Sequence, residues 1–175
     1  MSEHAIQTQP AATGAGFRDM MSTFPTGVSV VSAFEYGGRP RGMTCSSVCS
    51  VALEPPTLLV CLRSGSPTLD AVLGTGAFAV NLLHTGARPT AELFASGTPH
   101  RFDLVDWEDL PGAGGPHLVA DAHSIADCEV SLTQRLGDHV VVFGLVRRIT
   151  RHRPLPPLLY GARQFRGWTD LADAA

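Results

Sequence analysis

Small polar side chains crowd one short stretch of this chain, Arg41-Gly42-Met43-Thr44-Cys45-Ser46-Ser47-Val48-Cys49-Ser50-Val51, and Pro55-Pro56 separates it from the apolar run Thr57 to Leu62. The pattern reads as two strands joined by a proline-rigid corner, the first loaded with hydroxyls. Alternation of small polar with apolar residues sends hydroxyls to one face of a strand and core contacts to the other. Such a face suits a bound polar ligand, and it equally decorates a solvated surface. A second set of donors lies at Ser66-Pro67, where Ser as cap and Pro in the first helical position begin a helix over Thr68 to Leu73 that stops at Gly74. The free amides near Ser66 to Thr68 form an anion site, to which Arg63 can add charge. A phosphorylated ring ligand needs donors for its phosphate, polar groups at the ring edge and a flat apolar wall. Ser46, Ser47 and Ser50 supply hydroxyls, and Phe94, Phe102 and Tyr160 are candidates for the wall or for the core.

The elements that must position these groups are mostly strands. Phe17 to Phe24 reads as a short amphipathic helix with Phe17, Met20, Met21 and Phe24 on one side, ended by Pro25. Gly27 to Tyr36 is a strand, Gly37-Gly38-Arg39-Pro40 a hairpin turn, and Ala77 to Leu83 another strand. Pro89 to Ala95 is a second short helix, followed by a long irregular connection from Ser96 to Pro116 whose Gly112 to Gly115 run reads as flexibility. Long strands at Ile125 to Leu136 and Val140 to Arg151 flank a tight turn at Gly137-Asp138-His139, and Leu158 to Trp168 holds one more short strand. Many antiparallel strands with short helices at the corners, without β-α-β alternation, predict one closed or partly open β-barrel. Residues 1–15 and 169–175 read as tails around a single domain over 16–168.

Composition narrows the chemistry. The 175 residues are 44% hydrophobic and 17% charged, enough for one proper core. A formal net charge of −3 argues against nucleic acid and anionic membranes as partners. No apolar stretch approaches the roughly 18–20 residues of a membrane span, so a soluble, cytoplasmic protein is expected. Cys45, Cys49, Cys61 and Cys128 form no C-x-x-C pair, and His4, His84, His100, His117, His123 and His152 lack metal-ligand spacing, so no metal is expected. Neither G-x-G-x-x-G after a strand nor a P-loop is present, which removes the usual nucleotide folds, and the lack of G-x-S-x-G leaves a serine hydrolase as a poorer candidate. His139 projects from a turn between two long strands, as a functional rim residue or as a solvated turn histidine.

Several ordered motifs together resemble the short-chain flavin reductases, the reductase components of two-component flavin-dependent monooxygenases. They are Phe17-Arg18 with Thr26-Gly27-Val28, Gly42-Met43-Thr44 with Ser46-Ser47 and Ser50, Pro55-Pro56, Phe78 to Leu83, Arg101-Phe102, Cys128 and Gly137-Asp138-His139. The likeness runs from about Phe17 to Tyr160. It implies a mainly β, six-stranded antiparallel split β-barrel of the Greek-key, FMN-binding type, working as a homodimer. It implies FAD or FMN as cofactor, with NADH favoured over NADPH as hydride donor. The strand Met43, Thr44, Cys45, Ser46, Ser47 then lines the isoalloxazine and ribityl chain, the segment Cys61, Leu62, Arg63 to Ser66 and Thr68 meets the phosphate end, and His139 lies beside the nicotinamide. Many relatives carry Asn where this chain has Ser46 and an aromatic where it has Val48. For a 2′-phosphate on the nicotinamide cofactor, Arg18, Arg39, Arg88 and Arg101 are the candidates. A monooxygenase component is the implied partner; a non-catalytic flavin- or haem-binding module, or a tight flavoprotein oxidase, is the competing reading on the same barrel.

Overall fold

The computed structural model describes residues 11–152 and 154–168. Helix α1 (Gly14–Ser22) starts earlier than Phe17 because Thr13 caps it, its Oγ1 accepting from the Gly16 N–H at 3.1 Å. That cap offsets the poor helix propensity of Gly14 and Gly16. Residues 11–15 of the expected tail therefore carry the helix start, while residues 1–10, His4 included, and 169–175 lie outside the described residues. The apolar side of α1 is present but unpacked, with Phe17, Met20, Met21 and Phe24 all exposed.

Strands β1 (Thr26–Gly27), β2 (Ser29–Phe34), β3 (Pro40–Cys45), β4 (Val48–Leu53) and β5 (Pro56–Arg63) come first, followed by helix α2 (Pro67–Thr75), strand β6 (Ala77–Leu83) and helix α3 (Arg88–Ala95). The long hairpin β7 (Ala122–Leu136) and β8 (His139–Arg151) and the short strands β9 (Leu158–Gly161) and β10 (Gln164–Gly167) complete the chain. Among the described residues these form a seven-stranded sheet, ordered β3-β2-β6-β7-β8-β5-β4, and a three-stranded sheet, β1-β9-β10. All pairings are antiparallel.

The stretch from Arg41 to Val51 is not one strand, and the sheet has seven strands where six were expected. The chain leaves the sheet at Ser46-Ser47 and re-enters as β4 on the far side of β5. The ladder stays open between β3 and β5, and side chains bridge the gap. Ser47 Oγ donates to the Cys61 carbonyl and accepts from the Cys61 N–H, both at 3.2 Å. Both faces of β3 are covered. Met43 and Cys45 belong to the main core with Val31, Leu62, Phe78 and Val142, whereas Gly42 lies under Phe94 and Phe102 of a second core beneath α3.

Two other expectations change for local reasons. Helix α2 passes Gly74 and ends at Gly76, whose φ of 70° takes the left-handed cap position. The connection after α3 is irregular, as expected, apart from a 3-10 turn at Arg101–Leu104, but it is packed onto the sheet. Phe102 and Trp107 plug the second core, Glu108 bridges His117, and Gly114 and Gly115 press so closely on Phe78 and Ser32 that an added Cβ would sit 2.3 Å from each carbonyl oxygen. Close backbone approach, not flexibility, accounts for these glycines. Buried Asn81 fastens the segment to β6, donating to Ser32 Oγ at 2.9 Å and accepting from the Leu118 N–H at 2.8 Å.

Candidate active site

Where the chain leaves β3 the hydroxyl row opens into a groove. Ser46 is exposed, and its hydroxyl has no hydrogen-bond partner among the described residues. It lies on the boundary of two depressions that also share Tyr160. One, of about 420 Å³, is lined by Val28, Thr44 and Phe165; the other, of about 540 Å³, by Phe24, Ser47, Cys49, Leu59 and Cys61. Tyr160 leans on Phe165 with ring centroids 5.0 Å apart and planes at 56°. The result is a shallow channel with an apolar aromatic wall and a free hydroxyl at its centre. Glu92 is the charged residue in its lining, and Arg88 Nε holds it at 2.8 Å while the guanidinium sits 5.6 Å over the Phe165 ring.

The hydroxyls expected in one row do different things. Thr44 Oγ1 donates to the Ala91 carbonyl at 2.6 Å and so ties β3 to α3. Ser47 is occupied by Cys61. Ser50 faces a separate apolar groove with Leu53, Leu58 and Ile149. Cys45 and Leu62 are buried and Met43 packs against the core, so their side chains do not reach the channel. Phe94 and Phe102 are 1% and 6% exposed and stack edge to face at 4.9 Å. Their rings seat β3 instead of walling the channel: a Cβ on Gly42 would meet them at 3.1 and 3.0 Å.

Strand alternation supplies the next group. Val60 and Leu62 point inward, so Cys61 and Arg63 share the outer face of β5. Across the ladder Cys61 pairs with Val141 and Arg63 with His139, which places His139 on that same face. The turn is tight because Gly137 adopts a φ of 58°. His139 is partly exposed, and its Nδ1 lies 2.8 Å from Asp138 Oδ1. That hydrogen bond, with the imidazole charge, holds the Asp138 carboxyl below the usual carboxylate range. Ser66 caps α2, its Oγ accepting from the Leu69 N–H at 3.2 Å, and Thr68 is buried behind it.

Phe165, Val28 and Phe24 line the channel without having been expected there. Phe165 was hidden because the β9–β10 hairpin turns through Ala162 and Arg163 at φ 49° and 60°, with none of the Asn-Gly signature such a turn normally shows. Contacts with α1 offset this strain, since the Ala162 N–H donates to the Ser22 carbonyl and Arg163 Nη2 pairs with Asp19, each at 2.6 Å.

Other candidate centres are inert. All four cysteines are free. Burial raises the Cys45 thiol, and burial with the Asp127 charge pushes Cys128 up to about 12, so neither is a thiolate at neutral pH. A hollow of about 540 Å³ beside His84 and His152 holds no free imidazole nitrogen on His84: Nδ1 accepts from the Gly86 N–H at 3.0 Å and Nε2 donates to the Ala120 carbonyl at 2.9 Å. No group of three His, Cys, Asp or Glu among the described residues is arranged to hold a metal, and no helix there is long and apolar enough to cross a membrane.

The mainly β fold thus carries an aromatic-walled channel with an open hydroxyl. The chain belongs to the flavin reductase like domain family, whose pattern matches residues 21–169. It is 50% identical over 157 residues to the flavin reductase (NADPH) of Lentzea aerocolonigenes, covering 90% of this chain and 91% of that one. Its fold is similar to the NADH:FAD oxidoreductase SgcE6 of Streptomyces globisporus C-1027, solved with NAD and FAD fragments, at 32% identity and a TM-score of 0.81 over 87% of this chain and 90% of that one. It is also similar to the styrene monooxygenase flavin reductase of Pseudomonas putida S12, at 30% identity and a TM-score of 0.78 over 86% and 96% of the two chains.

Proposed function

We propose that this protein is an NAD(P)H:flavin oxidoreductase that reduces FAD or FMN and releases the reduced flavin to a partner monooxygenase. The observation that carries this reading is the shallow channel at Ser46 and Tyr160 in a chain of the flavin reductase family. Its residues fit a flavin. Ser46 and the adjoining backbone meet the polar ring edge and Tyr160 and Phe165 give the flat wall, while Arg63 and Ser66 lie outside the two depressions and Thr68 lines the neighbouring cavity at Arg39 and Arg101. A channel built from hydroxyls and backbone, with a paired carboxylate at its rim, holds flavin moderately, as release to a partner requires.

When bound, the flavin supplies an acceptor for hydride from nicotinamide, a transfer that needs stacked rings at near-attack separation and no general base. His139 accordingly positions the nicotinamide. Asp138 holds its ring through Nδ1, and Arg63 stands opposite it across the β5–β8 ladder. Both nicotinamide cofactors are accepted in this reading, since similar proteins are named for each.

The sheet order supports a split β-barrel. Strands β3-β2-β6-β7-β8-β5 form a six-stranded wall latched at the Ser47–Cys61 seam, and β4 is added outside it. One domain spans 16–168. The exposed apolar side of α1, together with exposed Leu53 and Ile149, supports a homodimer that covers these surfaces. Four free thiols and use of NAD(P)H fit a cytoplasmic enzyme. The test is NAD(P)H oxidation by the purified protein with and without added FAD or FMN. Saturable flavin dependence supports the proposal; a protein that retains flavin through gel filtration and ignores both nicotinamides overturns it.

A further inference from the structure

Three arginines converge at the open edge of β3, beyond the channel. A cavity of about 150 Å³ is lined by Arg39, Arg41, His100, Arg101 and Asp103, with Thr68 at its back. Ligand pockets begin at roughly 300 Å³. This one has room for about five waters at ~30 Å³ each, too little for a ring system and enough for a small anion with some of its water.

Its charges are unbalanced. Arg101 spends Nε and Nη1 on the neutral carbonyls of Thr98 and Phe94 at 3.1 and 2.7 Å. Arg41 Nε holds Glu35 at 2.6 Å, which neutralises that carboxylate behind the cavity. Arg39 is exposed; its carbonyl accepts from the Glu35 N–H at 2.9 Å, while its guanidinium has no hydrogen-bond or ion-pair partner among the described residues and acts on the Glu35 carboxylate only through space. With Arg41 paired to Glu35, the guanidiniums of Arg39 and Arg101 stand against the one carboxylate in the lining, Asp103, 3.6 Å from His100 Nδ1. Burial and then the Arg41 charge pull Arg101 below its ordinary pKa, a repulsion that a bound anion would relieve.

The cavity adjoins the channel. Gly42 of the cavity and Thr44 of the channel lie on one face of β3, and Gly42 to Ser46 is roughly 13 Å at about 3.3 Å per residue. Ser96 of the channel and Thr98 of the cavity share a 2.7 Å hydroxyl contact. Of the other arginines suited to a 2′-phosphate, Arg88 is committed to Glu92 and Arg18 lies on α1, outside the cavity.

We propose that the Arg39–Arg41–Arg101 cavity is an anion subsite for a phosphate on the adenosine half of a dinucleotide, either the 2′-phosphate of NADPH or the diphosphate of FAD. The assignment of the ligand rests on the reductase reading; the anion site itself does not. Calorimetric titration of adenosine 2′,5′-bisphosphate into wild type, Arg39→Ser and Arg39→Lys tests it. Arg39→Ser is expected to weaken bisphosphate binding about tenfold and Arg39→Lys less, because lysine keeps the charge but loses the fork. If KM for NADPH rises by the same factor relative to NADH, the source is the 2′-phosphate; if KM for FAD rises relative to riboflavin, it is the diphosphate. Unchanged bisphosphate affinity and unchanged KM ratios in Arg39→Ser overturn the subsite. A wild type with no flavin-dependent turnover overturns the reductase reading instead, and loss of bisphosphate binding in Arg39→Ser would still support the anion site.

Discussion

Ser46 and Ser47 are adjacent and chemically identical, yet their surroundings assign them opposite work, and replacing each by alanine separates the two. Ser47 makes two 3.2 Å hydrogen bonds to the backbone of Cys61 across the gap between β3 and β5. Each net hydrogen bond contributes about 0.5–1.5 kcal/mol. Ser47→Ala therefore costs roughly 1–3 kcal/mol, and at about 2–4 °C per kcal/mol for a chain of this length it lowers Tm by roughly 2–12 °C. Ser46 has an exposed hydroxyl with no partner among the described residues, so Ser46→Ala shifts stability by less than about 0.5 kcal/mol. Losing one hydrogen bond to bound flavin, at about 0.5–1.5 kcal/mol, raises the KM for flavin roughly 2- to 13-fold. Thermal melts of the flavin-free proteins and steady-state titrations of FAD and FMN read the two effects independently. A Ser47→Ala protein as stable as wild type would refute the seam argument. An unchanged flavin KM in Ser46→Ala would remove Ser46 from the site.

His139→Ala should lower kcat/KM for the nicotinamide roughly tenfold to hundredfold, with a much smaller change in flavin KM, because loss of ring positioning is expressed in the hydride step; equal effects on both substrates would contradict that role. Asp127 is buried and accepts from His117 Nε2, the Gly114 N–H and Arg148 Nε, each at 2.8 Å. Burial opposes its ionisation, but these donors outweigh it and hold the carboxyl below its ordinary 3.8. The stabilisation is then fully present above that ordinary value and is lost as pH falls through the lower folded value, a loss that melts at descending pH will show in wild type and not in Asp127→Asn. At neutral pH Asp127→Asn should cost about 1–3 kcal/mol by weakening the charge-assisted hydrogen bonds from buried His117 and Gly114, since Arg148 is partly solvated; a Tm within a degree or so of wild type would contradict this. Gly144→Ala drives a Cβ to 2.4 Å from the buried Phe78 ring and 2.9 Å from Cys128 Cβ, so denaturant titration should reveal a loss of about 1–3 kcal/mol.

Strands bounded by strong local signals could be read from the residues. Ala77 to Leu83 was legible because a glycine precedes a run that is apolar except at Asn81, and the Gly137-Asp138 turn because its residues carry their own conformational preference. The break at Ser46-Ser47 was not legible: no Gly or Pro marks it, and it exists because Ser47 finds the Cys61 backbone, distant in sequence. The aromatic wall was half legible for the same reason. Tyr160 lines the channel, but Phe94 and Phe102, similar in type and surroundings, turn into the second core because α3 and the following loop fold over Gly42. Phe165 depended on a hairpin turn built from Ala162 and Arg163, which α1 stabilises from the other end of the chain. Local chemistry thus exposed the ligand class, and long-range contacts decided which hydroxyls and rings remain free to meet it.

The account stands most directly on flavin-dependent consumption of reduced nicotinamide. Purified protein is mixed in air with NADH or NADPH, and loss of the reduced-nicotinamide absorbance band is followed as FAD, FMN or riboflavin is added. The account predicts little oxidation without flavin and a rate that rises and saturates with it. No flavin-dependent rate with either nicotinamide would contradict it.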